Sequence, residues 1–86
     1  MERPAAKAIY TVRAEWDHEA AVWVATSDDV SGLVTEAETL EELITKLHTL
    51  VPEMLEVNGV LGAADACRAA FRVIAERLEQ PTRAVA

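Results

Sequence analysis

Residues 9–26, IYTVRAEWDHEAAVWVAT, carry the pattern that decides the fold. In residues 9–16 apolar side chains alternate with polar ones, which is typical of a strand that buries one face. Residues 21–26 are rich in β-branched and aromatic side chains, and the short polar break before them favours an antiparallel hairpin. After a polar loop at residues 27–32, the shorter run at residues 33–37 predicts a third strand.

An amphipathic helix is predicted over residues 40–57. Thr39 can cap the first free N–H groups, and Glu42, three residues later, completes a capping box. Apolar residues then recur at intervals of three and four, so the helix has one broad apolar side for packing on a sheet. Pro52 predicts a kink or a break, because it lacks an N–H and clashes with the preceding turn. The Asn58-Gly59 pair supplies a left-handed stop.

The segment at residues 66–78 supports two interpretations. Its Ala, Arg, Glu and Leu residues are good helix formers, and its apolar positions fit a helical stripe. With a period of two, residues 69–77 instead form a strand with Phe71, Val73 and Ala75 facing inward. Local propensity favours the helix, and composition does not decide between the two.

Length and charge restrict the classes of protein. Eighty-six residues suit one domain, with a loose lead-in at residues 1–8, the domain at 9–79 and a tail at 80–86. Fifteen Asp and Glu against eight Lys and Arg give a net charge of -7, which argues against a broad phosphate-binding face. Apolar runs are too short to span a bilayer, and the first residues lack a secretory signal, so a cytoplasmic protein without membrane contact is expected. A core this small also favours a homodimer.

No set of residues predicts catalysis, a metal site or a cofactor site. Asp17-His18-Glu19 contains metal-ligating residue types, but neighbouring residues of a hairpin point in different directions, so a turn is the favoured interpretation. Asp28-Asp29 could hold magnesium in a ribonuclease-H-like site, although such sites need several converging carboxylates and a turn is again favoured. The lone Cys67 has no helix-start cation pattern and no paired His nearby that would activate its thiol, which predicts a buried or half-buried side chain. The chain is therefore expected not to be an enzyme.

A set of short motifs carries a resemblance to a known family. They are Tyr10-Thr11-Val12, Trp16-Asp17, Glu19-Ala20, residues 22–29 (VWVATSDD), Gly32-Leu33, Glu36-Ala37, Thr39-Leu40 and Leu43, all within residues 8–55. In this order they resemble a short bacterial domain of unknown function that is similar to the HicB-type antitoxin superfamily. The resemblance implies an α+β fold: a three-stranded antiparallel sheet, one helix packed across it, then a fourth strand, a partial ribonuclease-H-like β-β-β-α-β arrangement. On that implication residues 69–77 are a strand.

The resemblance also implies a role in binding another protein. HicB-type antitoxins cover a small, basic, RNA-cleaving HicA-type toxin, and longer members bind operator DNA through a C-terminal module. Because only nine residues follow Arg77, direct DNA binding is not expected. Residues 35–57, with six acids and one base, are the most acidic part of the chain and would attract such a toxin.

Five residues are the candidate contacts with a partner. They are Asp28, Asp29, Glu36, Glu38 and Trp23. The carboxylates can accept hydrogen bonds from Arg or Lys, and Trp is common at binding hot spots. Two alternatives stay open: an orphan structural or regulatory binding domain, and a degenerate ribonuclease that uses Asp28 or Asp17. For any single Glu, a solvated face that keeps the protein soluble competes with the functional interpretation.

Overall fold

The computed structural model describes residues 6–82 and contains a four-stranded mixed sheet with one long helix on one face. The elements in chain order are β1 (Ile9–Asp17), β2 (Val22–Thr26), β3 (Val34–Ala37), α1 (Leu40–Val57), the short α2 (Ala63–Ala66) and β4 (Ala70–Glu76). The strand order across the sheet is β3-β2-β1-β4, so the first strand of the chain lies in the interior of the sheet. The fold is therefore α+β, as expected.

The sheet differs in one respect from the expected arrangement. β1, β2 and β3 pair antiparallel, as the alternation and the hairpin predict. β4, however, pairs parallel with β1 from Ile9↔Ala70 to Glu15↔Glu76, so the sheet has four mixed strands rather than three antiparallel ones. The helical crossover explains the direction of β4. β3 and β1 run the same way, and α1 returns the chain to the end of the sheet at which β3 began.

The segment with two interpretations is a strand over Ala70–Glu76. Phe71, Val73 and Ala75 share the helix side of the sheet, and the first two pack against the core. The short helix α2, which no sequence pattern predicts, ends at Ala66, where the ambiguous segment begins. β4 forms seven paired positions with β1, and this tertiary pairing outweighs local propensity.

Helix α1 begins and ends at the predicted signals. The Thr39 hydroxyl accepts the Glu42 backbone N–H at 3.1 Å, which caps the first turn. At the other end Gly59 has a φ of +72°. The Val60 N–H then donates to the Leu55 carbonyl at 3.0 Å, which is the long hydrogen bond of a Schellman stop.

Of the kink or break expected at Pro52, the break does not occur, because α1 continues through this residue to Val57, where the helix is predicted to end. A proline inside a helix lacks one N–H and crowds the preceding turn, at a cost of roughly 3 kcal/mol. Val51 and Leu55 flank it and are fully buried. Burial of each such side chain contributes about 1.5–3 kcal/mol, which is enough to keep the helix continuous.

The core lies between α1 and one face of the sheet. Its buried apolar side chains include Tyr10, Val12, Ala14, Ala25, Val30, Leu33, Leu43, Leu47, Val51 and Leu55. From residue 6 to residue 82, no polar or charged residue is buried. The opposite face of the sheet, which we call the open face, carries exposed and half-buried side chains.

The start of the described range is tied to the sheet. The Lys7 backbone N–H donates to the Tyr10 hydroxyl at 3.0 Å. The predicted lead-in at residues 1–8 and tail at residues 80–86 otherwise lie partly outside the described residues. None of the helices in the part of the chain that the structure describes is long and apolar enough to cross a membrane.

Candidate functional site

The open face of the sheet carries a row of carboxylates. The strand register places Glu36 of β3, Val24 of β2, Glu15 of β1 and Glu76 of β4 side by side across all four strands. Because neighbouring strands lie about 4.8 Å apart, the row spans about 14 Å. The three Glu residues are exposed, and Val24 is half-buried. We call these four residues the acidic row.

Ion pairs within residues 6–82 do not neutralise the acidic row. They join Lys7 to Asp29, Arg68 to Asp65 and Arg77 to Glu79. Glu15 and Glu76 are directly opposite each other on neighbouring strands, and like charges in this position destabilise a sheet. A cationic group placed against the row would relieve this repulsion.

The neighbouring row of the open face is mostly uncharged. It consists of Val34, Thr26, Arg13 and Ile74. Val34 is 67% exposed and Ile74 is 44% exposed, which is high for apolar side chains on a sheet. The two rows together place an acidic stripe beside accessible apolar groups. Such a mixture suits contact with another protein, whose interfaces combine apolar and polar area.

Asp28 and Asp29 are adjacent in sequence but have different surroundings. The Asp29 carboxylate accepts the Thr11 backbone N–H at 2.7 Å and lies 3.7 Å from the Lys7 ammonium. The Asp29 side chain is only 24% exposed, whereas Asp28 is exposed, and both acids line a depression with Arg13. Asp29 thus stabilises the start of β1, and Asp28 is the more accessible member of the pair.

Ser27 completes the arrangement around Thr11. Its hydroxyl donates to the Thr11 carbonyl at 2.6 Å and accepts the Asp29 backbone N–H at 3.1 Å. The last backbone pairing of β1 with β2 at this end is Arg13↔Thr26. Beyond this pair, the backbone N–H and carbonyl of Thr11 are bound by the side chains of Asp29 and Ser27 instead of by a backbone partner in β2. The loop after β2 is therefore held against β1 by Ser27 and Asp29.

Trp23 lies on the helix side of the sheet, on the face opposite to the acidic row. It pairs with Trp16 across β1 and β2, with ring centroids 5.5 Å apart and an interplanar angle of 64°. The Arg77 guanidinium lies 4.2 Å from the centroid of the Trp16 ring. Both Trp residues are half-buried. Trp23 and Glu36 therefore do not belong to one contact surface.

Glu36 and Glu38 are separated by the end of β3. Glu36 belongs to the acidic row, and its backbone carbonyl accepts a hydrogen bond from the Lys46 ammonium at 2.6 Å, which links β3 to α1. Glu38 is exposed in the connection before the N-cap of α1. Of the five predicted contacts, only Glu36 and Asp28 are exposed on the open face or at its rim.

The Asp17-His18-Glu19 segment forms the favoured turn. The Asp17 carboxylate accepts the Glu19 backbone N–H at 2.9 Å, and His18 Nε2 donates to the Leu78 carbonyl at 2.9 Å. Across residues 6–82, no three His, Cys, Asp or Glu side chains are grouped as a metal site would require. Cys67 is exposed, contrary to the expectation of a buried or half-buried thiol, because it follows α2 at the surface.

Two members of the acidic row, Glu15 and Glu76, are absent from the contacts predicted from the sequence. The alternation in residues 9–16 already places Glu15 on the outward side, so this signal is available in the sequence. Glu76 joins the row only through the parallel register of β1 and β4. That register depends on pairing between the two ends of the chain, which local patterns do not encode.

The chain is similar to one protein family and to a protein of known structure. It matches the family model described as Domain of unknown function (DUF1902) over residues 9–84. It is also similar to the crystal structure of a hypothetical protein from the extremely thermophilic bacterium Thermus thermophilus, with 47% sequence identity and a TM-score of 0.64. This similarity covers 87% of this chain and 99% of that chain. Comparison with curated proteins gives no match. Because the family model spans all six elements, the protein belongs to the DUF1902 family, a domain of unknown function.

Proposed function

We propose that the domain binds a basic protein partner through the open face of its sheet, in the manner of a HicB-type antitoxin that covers a small RNA-cleaving toxin. The observation that carries the proposal is the acidic row, which lacks ion-pair partners in the described chain and lies beside exposed apolar groups. The resemblance of residues 8–55 to HicB-type antitoxins supports the same role, with a partial ribonuclease-H-like sheet as the scaffold.

The acidic row favours a basic partner for an electrostatic reason. Glu15 and Glu76 repel each other in the isolated domain, and Arg or Lys side chains of a partner would convert this repulsion into attraction. Complementary charge of this kind raises the rate of encounter and selects among partners. Val24, within the row, and Val34, beside it, supply apolar area for the contact.

Co-expression provides the direct experiment. The tagged full chain is produced together with the product of a small basic open reading frame that neighbours its gene. We expect the two proteins to purify together and the partner's RNA cleavage to stop when the domain is present. If no such neighbour exists, or if the neighbour's product neither binds nor is inhibited, the antitoxin role is wrong.

Charge reversal locates the contact surface. The double variant Glu15→Lys, Glu36→Lys should slow association about tenfold at low salt, with a smaller effect above about 0.5 M salt, because screening shortens the range of the field. The matched control is Glu41→Lys, Glu53→Lys, which makes the same charge change on exposed positions of α1. Equal effects of the two double variants would exclude the acidic row as the contact surface.

The two alternatives make different predictions. An orphan structural or regulatory binding domain would bind a partner through the same face without any RNA-cleaving activity to suppress. A degenerate ribonuclease needs converging carboxylates, but Asp17 caps the hairpin turn, whereas Asp28 lies near Thr11 at the other end of β1, about 20 Å away. Metal-dependent RNA cleavage by the pure domain, lost in Asp28→Ala, would support the ribonuclease instead.

A further inference from the structure

Within residues 6–82, strand β4 presents a long edge without a partner strand. It pairs with β1 on one side and is the last strand in the order β3-β2-β1-β4. Its seven residues make it longer than β3, the four-residue strand at the opposite edge. Unpaired backbone groups along such an edge are a template for pairing with another strand, and proteins either protect the edge or use it.

The side chains of β4 are complementary to a second copy of the same strand. In an antiparallel pair centred on Ile74, this residue faces its own copy on the open face. Arg72 then lies directly opposite Glu76 of the other copy, and Glu76 lies opposite the other Arg72. The same register places Val73 opposite Ala75 on the helix side. Two oppositely charged pairs thus flank an apolar centre, which is a favourable cross-strand arrangement.

Other registers lose this complementarity. When the pair is centred on Val73, Arg72 lies opposite Ile74 and Glu76 lies opposite Ala70. When it is centred on Ala75, Glu76 lies opposite Ile74. Only the register centred on Ile74 brings both opposite charges together while the helices of both copies stay on one side of the sheet.

The acidic row gives a second reason for this register. Glu76 is the end of that row and lies opposite Glu15 within its own sheet. A guanidinium from Arg72 of a second copy would lie on the other side of Glu76 and offset the repulsion. Ile74, which is 44% exposed in the single chain, would be covered at the same time.

We propose that the domain forms a homodimer through β4, with two copies of the strand paired antiparallel about a two-fold axis at Ile74. The product is a continuous eight-stranded sheet with both α1 helices on the same face. The contact is isologous, because the same residues of each copy meet across the axis. The proposal rests on the β4 edge and is independent of any toxin partner.

A charge-swap series on the purified full chain tests the proposal. Sedimentation velocity over a range of concentrations measures the dissociation constant of the wild type, of Arg72→Glu, of Glu76→Arg and of the double variant. Each single variant places two like-charged pairs across the axis and should raise the dissociation constant about tenfold or more. The double variant restores opposite charges and should return the constant close to that of the wild type.

The controls make the same charge changes away from β4. Arg68→Glu and Glu53→Arg alter exposed residues and should leave the dissociation constant unchanged. A wild type that stays monomeric at all concentrations would overturn the proposal, and so would a double variant whose dissociation constant is no lower than those of the single variants.

Hydrogen exchange of the wild type provides a second test that needs no variant. Amides of residues 70–76 should become more protected as the protein concentration rises, and constant protection would contradict the β4 contact.

Discussion

The Asp29 carboxylate accepts the Thr11 backbone N–H at 2.7 Å, at the position where β2 no longer supplies a backbone partner to β1. A charged acceptor that satisfies a half-buried N–H contributes about 1.5–3 kcal/mol, and its loss leaves the N–H without this partner. Asp29 therefore has a structural role that Asp28 lacks. This relationship separates two neighbouring acids that look equivalent in the sequence.

The first prediction compares these two acids. Asp29→Ala should lower the free energy of unfolding by about 1–3 kcal/mol, because the Thr11 N–H loses its acceptor. Asp28→Ala should change it by less than about 0.5 kcal/mol, since the residue is exposed. Urea denaturation followed by circular dichroism measures both. Equal losses for the two variants would show that the Asp29 hydrogen bond does not stabilise the fold.

The second prediction concerns the hairpin between β1 and β2. Ala21 has a φ of +56°, a left-handed conformation that costs a residue with a Cβ roughly 1–2 kcal/mol. Ala21→Gly removes this strain but increases the entropy of the unfolded chain, so a net gain of about 0.5–1 kcal/mol in unfolding free energy is expected. Ala20→Gly is the control, and it should be neutral or destabilising. Thermal unfolding of the two variants measures both changes in stability. A loss of stability in Ala21→Gly would contradict the assignment of strain.

The third prediction separates backbone strain from crowding at glycines. A Cβ at Gly32 would lie 3.1 Å from Met54 Cε, and the backbone φ there is +79°. Gly59 has a φ of +72° with open space around it, whereas Gly62 has open space and a φ of -72°. Unfolding free energy should fall by about 1 kcal/mol in Gly59→Ala, by more in Gly32→Ala, and by less than about 0.5 kcal/mol in Gly62→Ala. Any other order in chemical denaturation would contradict this explanation.

The fourth prediction tests whether the acidic row destabilises the isolated domain. Glu15→Gln removes the charge opposite Glu76 and should raise the free energy of unfolding by about 0.2–1 kcal/mol at low salt. The gain should shrink as salt is added, because the repulsion is screened. Glu53→Gln on the exposed side of α1 is the matched control. A gain that does not depend on salt would point to a cause other than repulsion within the row.

Local patterns predict most of the fold because most of it is built from local signals. The alternation in residues 9–16 and the Thr39 cap correspond to β1 and to the start of α1. The bounds of α1 match the predicted helix, but no break occurs at Pro52, because tertiary burial of its neighbours outweighs a local rule. The direction of β4 is not predicted, since it depends on pairing with β1 at the far end of the chain.

The candidate surface is harder to predict than the fold. Adjacent acids such as Asp28 and Asp29 look alike in sequence, and only the hydrogen bond to Thr11 distinguishes them. Glu36, Glu15 and Glu76 come together through two antiparallel registers and one parallel register. A shift of one residue in any register would move a Glu to the other face, so charge counts along the chain do not identify the row.

The position of β1 between β2 and β4 has a consequence for biosynthesis. Ile9 pairs with Ala70, so the ribosome must add 61 further residues (70 minus 9) before that side of β1 can be closed. During this interval the nascent chain can already form the hairpin, while the other side of β1 keeps unsatisfied backbone groups. β4 of a finished neighbour carries the sequence that fits this gap. Exchange of the last strand between newly made copies is therefore the misassembly that we expect of this topology.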